Sequence, residues 1–274
     1  MSKDKVMKYL AIFLLFIGLG CMGFYFYEVK STEDSVQANT EAVSPKNIAS
    51  SVRSNSKDSK QIDSDSNKED GQHGDKNQEA NEENHSDNQN IEAPEVTYDP
   101  HQVTQITPQA IREVNEKMQN PWYREVVKEN ALGALSIPDS GLSITILNGL
   151  SETNLVSGAG TFWAEQQMGV NNYPLASHNV NNGDLLMGPL FRTQPGMKAY
   201  LTDFNKIYVY QMESIALYKP NRSDLIDLHK ETPTLTLVTC ASFDDISERC
   251  VGIGKLIDTM DFDTAPVWIK NSYQ

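Results

Sequence analysis

The chain has 274 residues, of which 37 are acidic and 23 basic, for a formal net charge of −14. That charge is unevenly spread, at +2 over residues 1–30, −9 over 31–95 and −7 over 96–274, with no basic stripe beyond the first few residues. This excludes a nucleic-acid binder that works by neutralising phosphates. The three cysteines, none in CxxC or CxxH spacing, exclude a disulfide-stapled scaffold and argue against a structural zinc site.

Residues 9–27 carry no charge, and at 1.5 Å per residue that run spans about 28 Å, enough to cross a bilayer. Lys3, Lys5 and Lys8 precede it while Glu28 and Lys30 follow, so the positive-inside bias places the N-terminus in the cytoplasm and everything after residue 30 outside. Tyr9 and the Phe24-Tyr25-Phe26-Tyr27 cluster suit the two membrane interfaces. A cleaved signal peptide is the competing reading, but the apolar run exceeds the usual h-region and no small-x-small site follows. Cys21, in GLGC, hints at a lipoprotein cysteine, yet Gly18 stands where such signals have an aliphatic residue; a membrane-buried cysteine is the expectation. Residues 1–30 therefore read as a cytoplasmic N-terminus and an uncleaved transmembrane signal anchor.

Over residues 31–95 the only large apolar residues are Val36, Val43, Ile48, Val52, Ile62 and Ile91, with no aromatic. Such a segment buries too little surface to offset its ordering entropy, so a disordered, acidic, extracellular linker is expected. As a flexible chain it would span roughly 45 Å. His73 and His85 lie within it, and two isolated histidines in a solvated linker read as polar residues rather than metal ligands.

Residues 96–274 are globular in composition and long enough for one core. Thr107 and Pro108 form an N-cap and first-turn proline, with Ile111, Val114 and Met118 at helical spacing. Pro121 should break or restart this helix, with Trp122, Val126 and Val127 packing the second part. Beyond Gly133 come short β-like runs, ALSIP, LSITIL, PLASHNV, MKAYLT, KIYVYQMESIALY, LTLVTC and CVGIGKLI, separated by turn residues. Seven or eight strands at this spacing predict a mainly β barrel or sandwich with few helices.

The chemistry-bearing candidate is Cys240, which ends the strongest strand pattern, residues 235–240. If the polar connection that follows closes a symmetric hairpin about Asp244-Asp245, Arg249 lies opposite Cys240 and on the same face. A guanidinium there favours the thiolate and can donate to a developing oxyanion. Cys250 falls on the other face and reads as a buried, inert thiol. A thiol acting on an acyl group also needs a proton carrier. Among the five histidines, His73, His85 and His101 lie on or near the linker and His229 in a polar stretch, leaving His178 at the end of an apolar run.

Thr236-Leu237-Val238-Thr239-Cys240 matches the TLxTC motif of the sortases, with an arginine nine residues later and a histidine about sixty earlier. Further phrases resemble the class A, housekeeping sortases: Ser136-Ile137-Pro138, Gly149-Leu150-Ser151, Gly158-Ala159-Gly160-Thr161, Leu175-Ala176-Ser177-His178 and Leu225-Ile226-Asp227. The resemblance covers roughly residues 105–265. It implies a closed eight-stranded sortase barrel over residues 96–274, with an N-terminal helix and a few short ones, on the outer face of a Gram-positive membrane. It implies a cysteine transpeptidase in which Cys240 attacks the Thr-Gly bond of LPXTG-type sorting signals, His178 gives and takes the proton, and Arg249 holds the carbonyl or oxyanion. The acyl-enzyme would pass to the amine of the peptidoglycan precursor lipid II. Thr239, Ala176, Leu225 and Ile226 are expected to line the sorting-signal groove, with ordinary core or loop packing as the alternative.

Two departures from the family pattern stand out. Residues 161–173 offer only Glu165 as a carboxylate, so calcium stimulation is doubtful and no metal or cofactor is expected. A one-residue shift of the Cys240–Arg249 register would bring Cys240 beside Cys250, where a disulfide could silence the nucleophile. Two rival functions remain open: a membrane-tethered binding or sensing barrel that needs no thiol, and a hydrolase that delivers its acyl group to water.

Overall fold

In a computed structural model of the chain, residues 3–65, 91–180 and 182–273 are described. Four helices precede the sheet: α1 (Lys3–Ala42), α2 (Pro45–Asp65), α3 (Pro108–Gln119) and α4 (Pro121–Glu129). Then come β1 (Ala131–Ile137), β2 (Leu142–Leu147), α5 (Glu152–Ser157), β3 (Ala159–Thr161) and β4 (Asn172–Ala176). β5 (Lys198–Thr202), β6 (Lys206–Tyr218), β7 (Thr234–Cys240), β8 (Arg249–Asp261) and α6 (Val267–Asn271) complete the chain. The strands close into a barrel in the order β1-β2-β3-β4-β7-β8-β6-β5. Pairing is antiparallel except at β2–β3 and β4–β7.

Period-two alternation sends one side chain set into the barrel. Leu135, Ile137, Ile146, Leu175, Leu201, Tyr210, Leu235 and Leu237 form a single buried cluster there. Each such aliphatic side chain contributes about 1.5–3 kcal/mol relative to exposure, so this lining fixes the strand registers. Outside it, Asn172 ties β4 to the chain before β7. Its Nδ2 donates to the carbonyls of Leu225 (3.0 Å) and Asp227 (2.9 Å), while its Oδ1 accepts from the Thr236 hydroxyl at 2.8 Å.

The helical expectations after residue 106 correspond to two capped helices. Thr107 Oγ1 accepts from the Ala110 amide at 3.1 Å, and Ile111, Val114 and Met118 are buried. Asn120 Oδ1 accepts from the Trp122 and Tyr123 amides, restarting the chain as α4. The restart resets the buried face: Tyr123 and Val127, one turn apart, pack inward, whereas Trp122 is 45% exposed. Tyr123 rather than Trp122 is thus the aromatic that packs α4.

α1 contains a stretch long and apolar enough to cross a membrane by length and composition. Along it Phe13, Phe16, Phe24 and Tyr27 are exposed. The same helix continues well past residue 30, which corrects the expected linker: residues 31–65 are almost entirely helical and their described apolar side chains are docked. Val36, Val43, Ile48 and Val52 are 0–5% exposed and share a cluster with Ile111, Val114, Met118, Tyr123 and Val127. The apolar residues are sparse, but they fall on surfaces that meet the amphipathic faces of α3 and α4.

Polar contacts fix this docking. Asn115 Nδ2 donates to Ser35 O (3.4 Å) and Asn39 Oδ1 (3.1 Å), Arg112 pairs with Glu28 at 3.4 Å, and Thr145 Oγ1 donates to Val43 O at 2.6 Å. Arg53 reaches Asp263 at 2.7 Å and lies 5.2 Å from the centre of the Phe262 ring. The rest of the expected linker, residues 66–90 with His73 and His85, lies outside the described residues, while residues 91–95 run without regular structure.

Candidate active site

Three neighbouring strands build the site. β7 pairs in parallel with β4, Ala176 opposite Val238, and antiparallel with β8, Cys240 opposite Arg249 and Thr239 opposite Cys250. The expected register is therefore present, without the one-residue shift that would join the cysteines. Both thiols are free. Leu175, Leu237 and Cys250 belong to the interior cluster, so alternation puts Ala176, Val238, Cys240 and Arg249 on the outer face.

His178 stands two residues past Ala176 as Cys240 stands two past Val238. Beyond the end of β4 the two chains stay bound: Ser177 N–H donates to Val238 O (3.2 Å), Thr239 Oγ1 to Ser177 O (2.8 Å) and Asn179 Nδ2 to Cys240 O (3.0 Å). Cys240 thereby has Arg249 opposite it on β8 and, on its other side, the chain that runs on from β4 through His178. His229 is exposed on a loop and His101 in a short 3-10 turn, Pro100–Gln102.

The electrostatics of the two thiols differ. Burial pushes the Cys240 thiol up; the Arg249 guanidinium pulls it back down, and the Asp245 carboxylate raises it again. Cys250, 2% exposed, is pushed up to about 11 by burial alone. Arg249 is held in place by the hairpin, its guanidinium donating to the carbonyls of Ile246 and Glu248. His178 is 3% exposed, its Nε2 is buried without a hydrogen-bond partner, and Glu152 Oε2 lies 3.6 Å from it.

The four expected groove residues separate. Ala176 and Ile226 come together with Val238, packed against Leu150, Leu155 and Phe162 beside the Cys240 face. Thr239 does not reach that face. It is 2% exposed, one position off the Cys240 alternation, and its hydroxyl braces the ends of β4 and β7. Leu225 is buried beneath the loop, its carbonyl accepting from Asn172 Nδ2 and Lys230 Nζ.

Four contributors are not among the residues expected from the sequence. Val238 was legible, since it alternates with Cys240. Trp163, 37% exposed, donates its indole N–H to Ile226 O at 2.9 Å. Val103 packs onto the same apolar cluster from the segment before α3, and Gln105 Nε2 reaches the carbonyls of Phe243 (3.5 Å) and Asp244 (3.4 Å) in the β7–β8 connection. No local pattern announces these last contacts, because their partners lie far along the chain. Among the described residues, no three His, Cys, Asp or Glu gather as a metal site.

A family model described as Sortase domain matches residues 135–257, from inside β1 into β8. Sortase A of Streptococcus agalactiae is 37% identical over 147 residues, covering 52% of this chain and 59% of that protein. Sortase A of Listeria monocytogenes is 31% identical over 132 residues, covering 48% and 59%. YwpE of Bacillus subtilis, named as a sortase, is 34% identical over 95 residues, which are 35% of this chain and 92% of that protein. The chain thus spans about three fifths of the length of the curated sortase A relatives it matches. The crystal structure of Listeria monocytogenes sortase A superposes with a TM-score of 0.49 at 29% identity, over 53% of this chain and 97% of that one. With the family model running through the barrel and a sortase relative matched over nearly its whole length, this chain belongs to the sortase family, with sortase A proteins among its relatives.

Proposed function

We propose that the protein is a class A, membrane-anchored cysteine transpeptidase that joins surface proteins to the cell wall. The observation that supports this reading is Cys240 at the end of β7, opposite Arg249 on β8 and bound on its other side to the chain that carries His178. In the proposed reaction the Cys240 thiolate attacks the carbonyl carbon of the Thr-Gly bond in an LPXTG-type sorting signal. Arg249 donates to the oxyanion that forms. The intermediate collapses with cleavage of the C–N bond, and the departing nitrogen takes a proton from the His178 imidazolium. A thioester to Cys240 remains.

An incoming amine, that of lipid II, then attacks the thioester and returns a proton to His178, and Cys240 leaves as thiolate. The apolar surface of Ala176, Val238 and Ile226 suits the aliphatic part of the sorting signal, with Leu225 supporting it from below and Thr239 bracing the strands. No step calls for a metal or cofactor. The apolar part of α1 is assigned as a single-pass anchor, N-terminus cytoplasmic and barrel extracellular, with residues 96–274 as the catalytic unit.

The test uses the full chain in detergent with an LPXTG peptide and a glycine-based amine, products being read by mass spectrometry. The expected result is cleavage after threonine with the amine joined to it, abolished in Cys240→Ala. Product carrying water instead of amine would favour a hydrolase. Intact peptide with folded protein would favour a binding barrel.

A further inference from the structure

We propose that Glu152 is a positioning residue that holds the His178 imidazolium; this rests on His178 being the proton carrier. Glu152 opens α5, directly after the Ser151 cap. That helix is fastened to the histidine segment: Leu155 O accepts from the His178 amide at 3.3 Å, and the Ser177 hydroxyl donates to Gly158 O at 2.7 Å. The Glu152 carboxylate is thereby delivered to the ring, with Oε2 3.6 Å from Nε2. Two buried polar atoms face unfilled valences here, His178 Nε2 and Glu152 Oε1.

The Glu152 side chain is 33% exposed, but its Oε1 is buried without a donor, which is unfavourable, as is a buried cation without an acceptor. The pair is satisfied together when Nε2 carries a proton directed at the carboxylate, which leaves Nδ1 as the ring nitrogen whose proton goes to the leaving amine. Other charged groups around the site act differently. Arg249, on β8 beyond Cys240, is a cation and opposes an imidazolium, so a carboxylate from α5 offsets it. Glu92, Glu95 and Lys117 line an open cavity of about 500 Å³ of which Glu152 is also a wall. Glu152 is not among the residues assigned to the substrate surface, so its action runs through His178.

The test compares wild type, Glu152→Gln, Glu152→Ala and His178→Ala as full chains in the peptide–amine assay. Glu152→Gln keeps size and hydrogen bonding but removes the charge. It is expected to lower kcat by at least about tenfold, and by less than the roughly 10⁴ seen when a triad's orienting carboxylate is neutralised. The KM for peptide and the thermal midpoint should stay near wild type. Formate, which can enter from the open cavity, should restore part of the Glu152→Ala rate, while neutral formamide should not. Wild-type kcat in Glu152→Gln, with His178→Ala inactive, overturns this inference and leaves the catalytic reading intact. A loss that tracks a lowered thermal midpoint and ignores formate also overturns it, in favour of a structural role. Turnover by His178→Ala would instead overturn the catalytic reading on which the inference stands.

Discussion

The inner and outer faces of the β4–β7–β8 ribbon hold the same residue type in opposite chemical conditions. Cys250 lies inside among leucine and methionine side chains, where burial alone acts on its thiol and no charged group opposes it. Cys240 lies outside and half-buried, with the same desolvation partly reversed by Arg249. The two occupy adjacent strands one register step apart. The pleat of the sheet therefore separates packing from chemistry, and a single residue of slip would exchange the roles.

Arg249→Met gives the largest expected break in that contrast. Removing the guanidinium takes away an oxyanion donor, so kcat/KM for transpeptidation should fall by about 10²–10³. It also leaves burial and Asp245 unopposed at Cys240, raising the thiol further. In the wild type the raised thiol predicts that iodoacetamide labelling of Cys240 keeps accelerating as pH rises past neutral, roughly tenfold per unit until the thiolate dominates. Arg249→Met should displace that curve toward higher pH. An unchanged labelling curve would show that the arginine does not act on the thiol.

Cys250→Ala sharpens the same contrast from the other side. It should leave kcat/KM within about twofold of wild type. Its small cavity should cost about 1 kcal/mol, a few degrees in thermal midpoint. A large loss of activity without a loss of stability would place Cys250 in the chemistry after all.

The parts of this molecule legible in the sequence are those governed by short-range periodicity. A strand pattern ending at Cys240 and a polar connection symmetric about Asp244 and Asp245 suffice to set Arg249 opposite the thiol, as the register has it. Thr107, Pro108 and Pro121 mark helix starts through local cap chemistry. Thr239 shows the limit of reading by proximity, for a neighbour in the chain of a strand residue is on the other side of the sheet.

The N-terminal docking fails to announce itself for a different reason. Val36, Val43, Ile48 and Val52 are too few for a core of their own, and become one only against α3 and α4, some seventy residues on. Glu152 beside His178 is likewise a contact between segments whose separate patterns carry no trace of each other. Composition averages over a window, whereas burial depends on which distant surface the window meets.

The central claim is that Cys240, and not Cys250, carries the acyl group. It is tested most directly by incubating the full chain with an LPXTG peptide in the absence of amine, quenching in acid and mapping the adduct by tandem mass spectrometry. The account predicts a thioester of the peptide's threonine carbonyl on the fragment containing Cys240, released when amine is added, with Cys250 unmodified. An adduct on Cys250, or turnover with no adduct on either cysteine, would contradict it.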